Sequence, residues 1–158
     1  MDQANWGNDM NAVYDNAREH TEAQVTQVYS ETVVDHALYP RNVGNINNAH
    51  GFARVTGPCG DTIEIWLKVR NDVVADVTFL TDGCATTIAA GSMITELVKE
   101  KTIVQALKIR KTEVIHELGG MPEEDEHCAL LATNTLKAAV KDYLDLKKAP
   151  WKRVYRRY

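Results

Sequence analysis

The chain contains no Cys-x-x-Cys pair, no glycine-rich phosphate loop and no apolar run near the roughly 18–20 residues of a membrane span. The first absence removes the close ligand pairs of zinc ribbons and the usual thiol–disulfide redox motif. Three cysteines, an odd number, make no disulfide framework and predict a reducing, cytoplasmic setting. Met1 to His20 has no apolar h-region, so it is not expected to be a secretory signal. No acid/base pair suited to catalysis stands out, and no enzyme activity is expected.

What is present suffices for one core: 158 residues, 44% of them hydrophobic. The net charge of −4 is unevenly spread. Residues 1–145 hold 12 basic and all 22 acidic residues, a balance of −10, whereas Leu146 to Tyr158 hold six basic residues and no acid. Trp151, Tyr155 and Tyr158 interleave that basic tail, a pattern able to grip nucleic acid. A body at −10 repels a phosphate backbone, so a solvated or self-docking tail is expected, with neither nucleic acid nor membrane as partner. Three segments are expected: a lead-in over 1–20, a folded domain over 21–146 and the tail over 147–158.

Periodicity predicts the elements. Val25, Val28, Val33 and Val34 recur at near-helical spacing from about Glu22 until Tyr39-Pro40 stops the helix. Residues 41–50, rich in asparagine, read as a loop, and Gly51 to Thr56 as a short strand. Ile63, Ile65, Leu67 and Val69 alternate with Glu64, Trp66, Lys68 and Arg70, the mark of a strand with one buried face. Asn71-Asp72 turns the chain into a second β-rich run, Val73 to Leu80. Helices follow over Thr86 to Glu100, around Ile103 to Leu107, around Thr112 to Leu118, and from about His127 to Leu146. This order predicts an α+β fold: a small antiparallel three-stranded sheet covered by helices on one side.

The three thiols carry the chemistry. Cys59 lies in Gly57-Pro58-Cys59-Gly60-Asp61, Cys84 in Asp82-Gly83-Cys84-Ala85-Thr86-Thr87, and Cys128 directly follows His127. Cys84 and Cys128 are each expected to open a helix, where the dipole favours thiolate, the form that binds soft metals. Cys59 precedes one strand of the hairpin and Cys84 follows the other, so both belong at one end of the sheet. Cys128 joins them if the last helix points its N-terminus there. Separations of 25 and 44 residues mean that only the fold can assemble such a site. From spacing alone, three unrelated thiols compete with a three-cysteine metal site whose fourth ligand is Asp61 or His127.

Tyr29-Ser30-Glu31-Thr32-Val33-Val34-Asp35-His36-Ala37-Leu38-Tyr39-Pro40-Arg41-Asn42-Val43-Gly44 resembles the opening signature of the iron–sulfur cluster scaffold family, the IscU and NifU N-terminal type. The Cys59 loop, the Gly83-Cys84 turn and His127-Cys128-Ala129-Leu130-Leu131-Ala132 are similar to that family's three cysteine motifs, in order, over about residues 27 to 144. The resemblance implies a scaffold, not an enzyme, that builds a [2Fe–2S] cluster from Fe2+ and passes it to apo iron–sulfur acceptor proteins. It implies a cysteine desulfurase as sulfur donor and a ferredoxin-type electron donor, within one chain or a homodimer. Cys59, Cys84 and Cys128 would be the thiolate ligands, with Asp61 the carboxylate and His127 the imidazole beside them. Zn2+ is the expected occupant of the cluster-free form.

Two alternatives use the same cysteines: a zinc-binding protein, and a thiol-based sulfur-transfer protein. The sequence also departs from the family. Bacterial members carry Leu-Pro-Pro-Val-Lys before the third cysteine, a chaperone recognition site. Here the stretch is Met121-Pro122-Glu123-Glu124-Asp125-Glu126, with Asp125 at the lysine position, which argues against a dedicated Hsp70-type chaperone. That acidic run reads as solvated, helix-capping charge. The lone histidines His20, His36, His50 and His116 read as surface or core residues.

Overall fold

A computed structural model describes residues 28–155 of the chain. Within them, α1 (Glu31–Leu38) precedes β1 (Gly51–Thr56), β2 (Thr62–Arg70) and β3 (Val73–Thr81). Then come α2 (Ala85–Val98), α3 (Ile103–Lys108), α4 (Lys111–Glu117) and α5 (Glu126–Lys148), with 3-10 turns at Glu123–Asp125 and Pro150–Tyr155. The strands pair antiparallel in the order β1-β2-β3, and the buried side chains lie where sheet and helices meet, which is the expected α+β architecture.

The hairpin follows from local chemistry. Asn71 and Asp72 both take positive φ (53° and 58°), the geometry that turns two right-twisted strands back on each other. The inward set Ile63, Ile65, Leu67, Val77 and Phe79 is essentially without exposure, packed with Ala90, Ile94, Leu136 and Val140 from α2 and α5. The outer face is less open than its alternation predicts. Trp66 is only 6% exposed, because Phe52 stands opposite it in the register with ring centroids 5.1 Å apart.

Both sheet edges are covered. On β3, Phe79 N–H donates to Asn42 O and Gly44 N–H to Phe79 O, both at 3.0 Å, while Val74 N–H donates to Lys101 O at 2.9 Å. On β1, Phe52 N–H donates to Asp142 Oδ2 of α5 at 3.0 Å. Helix α5 comes close to the sheet at Gly51, where an added Cβ would lie 2.5 Å from Ala139 O.

Two expectations change. The first helix was predicted to run unbroken from about Glu22, but Ser30 is extended (ψ 157°) and caps a new helix by accepting from Val33 N–H at 3.1 Å. Val28 is exposed, and the part of the expected helix before it lies outside the described residues, as do the lead-in and His20. Cys128 does not open its helix: α5 starts two residues earlier, at Glu126.

The histidines divide as expected. His116 is exposed, whereas His36 is 4% exposed and bonded through Nδ1 to Ser92 Oγ at 2.7 Å. His50 Nδ1 accepts from Val69 N–H at 2.9 Å. Burial pushes both imidazoles below their ordinary value, with Arg41 adding at His36 and Arg153 and Lys68 at His50. The neutral rings therefore fit the folded state. Their stability is full above about pH 6.5, the unfolded value, and is lost as pH falls through the lower folded values. The thermal midpoint should drop by a few degrees between about pH 7.5 and about pH 5.5. A midpoint that is constant over that interval in thermal denaturation contradicts this assignment.

Candidate functional site

Three chain passages meet at the end of the sheet away from the Asn71-Asp72 turn. The β1–β2 loop is closed by Gly57 N–H to Asp61 O at 2.8 Å and Gly60 N–H to Gly57 O at 3.0 Å, and it presents Cys59 and Asp61. The exit of β3 is tied back by Thr62 N–H to Asp82 Oδ1 at 2.8 Å and the Thr81 hydroxyl to Thr62 O at 2.6 Å. It delivers Cys84 as the N-cap of α2. Helix α5 supplies His127 and Cys128 from its first turn. At Gly83 an added Cβ would lie 2.7 Å from Asp61 Oδ2 and 2.8 Å from Thr87 Cβ, so a residue without Cβ lets the two loops close on α2.

Hydroxyl groups join these residues. Thr87 Oγ1 donates to Asp61 Oδ2 at 2.7 Å and lies 3.3 Å from Cys128 Sγ and 3.5 Å from Cys84 Sγ. Thr86 Oγ1 lies 3.1 Å from Cys84 Sγ and 3.4 Å from Cys128 Sγ. Asp61 Oδ2 also accepts from Cys84 N–H at 3.4 Å. His127 Nε2 stands 3.6 Å from Cys128 Sγ, while its Nδ1 is 2.7 Å from Glu124 O. A carbonyl only accepts, so Nδ1 carries the hydrogen and Nε2 of the neutral ring offers its lone pair on the Cys128 side.

The environments differ sharply. Cys59 and Cys84 are exposed and Cys128 is buried. Burial pushes the Cys84 thiol up, but the hydroxyls and amides of Thr86 and Thr87 outweigh it and leave the thiol below its ordinary value. Burial raises the Cys128 thiol, and the same hydroxyls only partly offset it, with Cys84 beside it pushing further up. The Thr87 hydroxyl is the main reason that the Asp61 carboxyl is held below its usual range; burial opposes, while the Cys84 amide and the Cys84 and Cys59 thiols assist. The arrangement can present one activated, accessible thiol beside a sheltered one, with a carboxylate between two loops.

Among the described residues no three thiol, carboxylate or imidazole groups converge on one point fit for a metal ion. The donors are neighbours with threonine hydroxyls between them. Thr86 and Thr87 were not singled out from sequence. Their positions two and three residues after a helix-opening Cys84 were the available signal, since first-turn groups face the cap. The acidic run also behaves otherwise than expected. Asp125 is the N-cap of α5 but makes no capping hydrogen bond; it accepts from Tyr29 OH at 2.6 Å instead. That bond, aided by burial, raises the Tyr29 hydroxyl to about 12. Glu126 pairs with Lys111 at 3.4 Å.

Comparison with known proteins places this architecture. A family model, the NifU-like N terminal domain, matches residues 28–150. The iron–sulfur cluster assembly scaffold protein IscU 1 of Archaeoglobus fulgidus is 46% identical over 117 residues, covering 73% of this chain and 76% of that protein. IscU of Aquifex aeolicus is 46% identical over 119 residues with the same two coverages, and IscU of Escherichia coli is 39% identical over 126 residues, 77% of this chain and 98% of that one. Among solved structures, the N-terminal part of a NifU-like protein from Brucella abortus superposes with TM-score 0.62 at 20% identity, covering 77% of this chain and 97% of that one. A SUF-system scaffold candidate from Fervidobacterium islandicum gives 0.58 at 24% identity, covering 72% and 97%. Matched by that domain over most of its length and by such relatives over nearly three quarters of it, the chain belongs to the NifU N-terminal, IscU-type family.

Proposed function

We propose that this chain is a scaffold on which a [2Fe–2S] cluster is assembled and from which it is handed to apo acceptor proteins. The observation that carries the reading is the gathering of Cys59, Asp61, Cys84, His127 and Cys128 at one end of the sheet, with two thiols open to solvent. The scaffold domain we assign is residues 21–146, between a lead-in over 1–20 and the basic tail over 147–158, with α5 running two residues into that tail, to Lys148. Among the described residues no helix is long and apolar enough to cross a membrane, and the free thiols suit a reducing cytoplasm.

The donor chemistry matches cargo that must leave. Four thiolates hold a cluster durably, whereas three with one oxygen or nitrogen donor leave one iron less tightly held. Cys59, Cys84 and Cys128 are the thiolates, and Asp61 and His127 compete for the fourth place. Sulfur arrives as a persulfide from a cysteine desulfurase. Each such sulfur needs two electrons to become sulfide, drawn from a ferredoxin-type donor. An incoming persulfide reaches Cys59 or Cys84 directly, because both are exposed. Before iron arrives, Zn2+ suits the same thiolate, carboxylate and imidazole donors. The cluster is held by one chain or bridged between two. Asp125, engaged by Tyr29 where bacterial relatives place a lysine, leaves no basic anchor there for a dedicated chaperone.

Anaerobic reconstitution with Fe2+ and sulfide should give about two irons and two sulfides per cluster with [2Fe–2S] absorption. Stoichiometric zinc without a chromophore under those conditions would establish the zinc reading instead. Replacing any one of Cys59, Cys84 or Cys128 with Ser should reduce stable cluster to about a tenth or less, since serine keeps the size but loses the soft, ionisable donor. A normal cluster in Cys84→Ser would show that the thiols do not share one site. Asp61→Ala should lengthen cluster half-life and slow transfer to an apo-ferredoxin by about tenfold, because it removes a charge from an anionic site while His127 can still ligate. His127→Ala should be the more damaging change, and a shorter half-life for Asp61→Ala than for the unaltered protein sinks the assignment.

A further inference from the structure

Thr87 is fully buried, and its hydroxyl stands among three acceptors: Asp61 Oδ2 at 2.7 Å, Cys128 Sγ at 3.3 Å and Cys84 Sγ at 3.5 Å. A hydroxyl has one hydrogen, so these contacts cannot all be donated at once. The carboxylate is the nearest acceptor and the charged one, and it takes the hydrogen. The Cys84 contact can then run from the thiol to the Thr87 oxygen, whereas the Cys128 contact has the Thr87 hydroxyl as its donor, so Cys128 Sγ and Asp61 Oδ2 compete for the one hydrogen. Turning the same hydrogen from carboxylate to sulfur needs rotation about the Cβ–Oγ1 bond only, with no heavy atom displaced.

The surroundings are built to keep this contact. Gly83 leaves the gap that Asp61 and Thr87 occupy, since its Cβ would strike both. Cys84 N–H donates to the same Asp61 oxygen, and Thr86 holds Cys84 from the other side at 3.1 Å. In this arrangement no three donors converge on a metal-sized point among the described residues. Asp61 Oδ2 is thereby engaged at the first turn of α2 by the Thr87 hydroxyl and the Cys84 amide.

We propose that Thr87 is the positioning residue of this site, a latch whose one hydroxyl hydrogen keeps Asp61 Oδ2 engaged and so withheld from a metal, and releases it by turning to a sulfur. The proposal rests on the scaffold reading for its metal but concerns a residue which that reading does not use. A sulfur that binds a metal gives up its hydrogen and becomes an acceptor. The Thr87 hydrogen can then turn to Cys84 or Cys128, and Asp61 is freed to ligate. A first metal ion must therefore break the contact between Thr87 and Asp61 before the carboxylate is available. The hydrogen bond lost, to a charged carboxylate, is stronger than the one gained, to a sulfur whose charge is shared with the metal.

The test is Zn2+ affinity of the cluster-free protein, measured by competition with a chromophoric chelator. It compares Thr87→Val, which keeps the shape and loses the hydroxyl, with Thr87→Ser, which keeps the hydroxyl. Thr87→Val should bind Zn2+ about tenfold tighter than the unaltered chain, and Thr87→Ser should match the unaltered chain within about twofold. In an Asp61→Ala background the valine substitution should change nothing, because the latch then has nothing to hold. A purely structural role for Thr87 would not vanish with Asp61. The latch is overturned if Thr87→Val binds zinc no more tightly, or if its gain persists in the Asp61→Ala background. Zinc that binds through the thiols yet ignores Thr87 overturns the latch and leaves the scaffold reading standing; an unaltered chain that takes no zinc through its thiols overturns both.

Discussion

The packing of α5 across β1 and β2 is the constraint on which the site depends. Cys128 reaches Cys84 only because α5 lies on the sheet with its N-terminus at the loop end. Near mid-helix, Gly51 lets the backbone at Ala139 come close and Asp142 accepts from the Phe52 N–H of the edge strand. At the far end, Tyr143 OH and Lys147 Nζ both donate to Asp72 Oδ1, at 2.9 and 2.8 Å, in the β2–β3 turn. These anchors fix the rotation and the translation of the helix. A slip of one residue would turn Cys128 by about 100° and leave the threonine hydroxyls facing another side chain. The site thus inherits its accuracy from contacts far from any sulfur.

Given that placement, hydrogen bonding rather than net charge sets the character of each thiol. No Lys or Arg side chain hydrogen-bonds a thiol or Asp61 among the described residues, and His127 alone among the basic side chains reaches one, at Cys128. What favours negative charge is the first turn of α2, with two hydroxyls and the amides at the helix N-terminus. Hydrogen bonds to charged groups contribute about 1.5–3 kcal/mol each. Exposed Cys84 suffers less desolvation than buried Cys128, and the same two hydroxyls suffice to lower the one and not the other. Burial at unequal depth turns a shared set of donors into two different sulfurs.

Much of the fold was legible because it is local. The alternation from Ile63 to Val69, the Asn71-Asp72 turn and the long apolar stripe of α5 each follow from side-chain period and backbone preference. The grouping of Cys59 with Cys84 follows from the antiparallel pairing of one hairpin. The features that escaped are relations between segments distant in sequence. Thr86 and Thr87 look like ordinary first-turn helix residues until Cys128, more than 40 residues away, lands beside them. Asp125 reads as a cap until Tyr29 is seen to reach it from the other end of the chain. Trp66 looks solvent-facing until its partner in the register proves to be Phe52. Periodicity reports which face is buried but not what stands opposite.

The same helix that makes the site also separates it from the basic tail. From Cys128 to Lys147 α5 rises about 28 Å, and the turn at Pro150–Tyr155 follows the helix end at Ala149, with Trp151 64% and Tyr155 84% exposed. At physiological salt the Debye length is about 8 Å, so the tail's positive charge is screened several times over before it reaches the thiols. The described basic residues of the tail, Lys147 to Arg153, therefore have no part in tuning Cys84 or Asp61. A partner that engages those exposed aromatic and basic side chains leaves the thiol end open, because Asp72 and Lys147 mark the opposite pole of the domain. The exposed tail side chains and the thiol loops thus lie at separate ends of one helix, and any coupling between them must come from a partner long enough to span both.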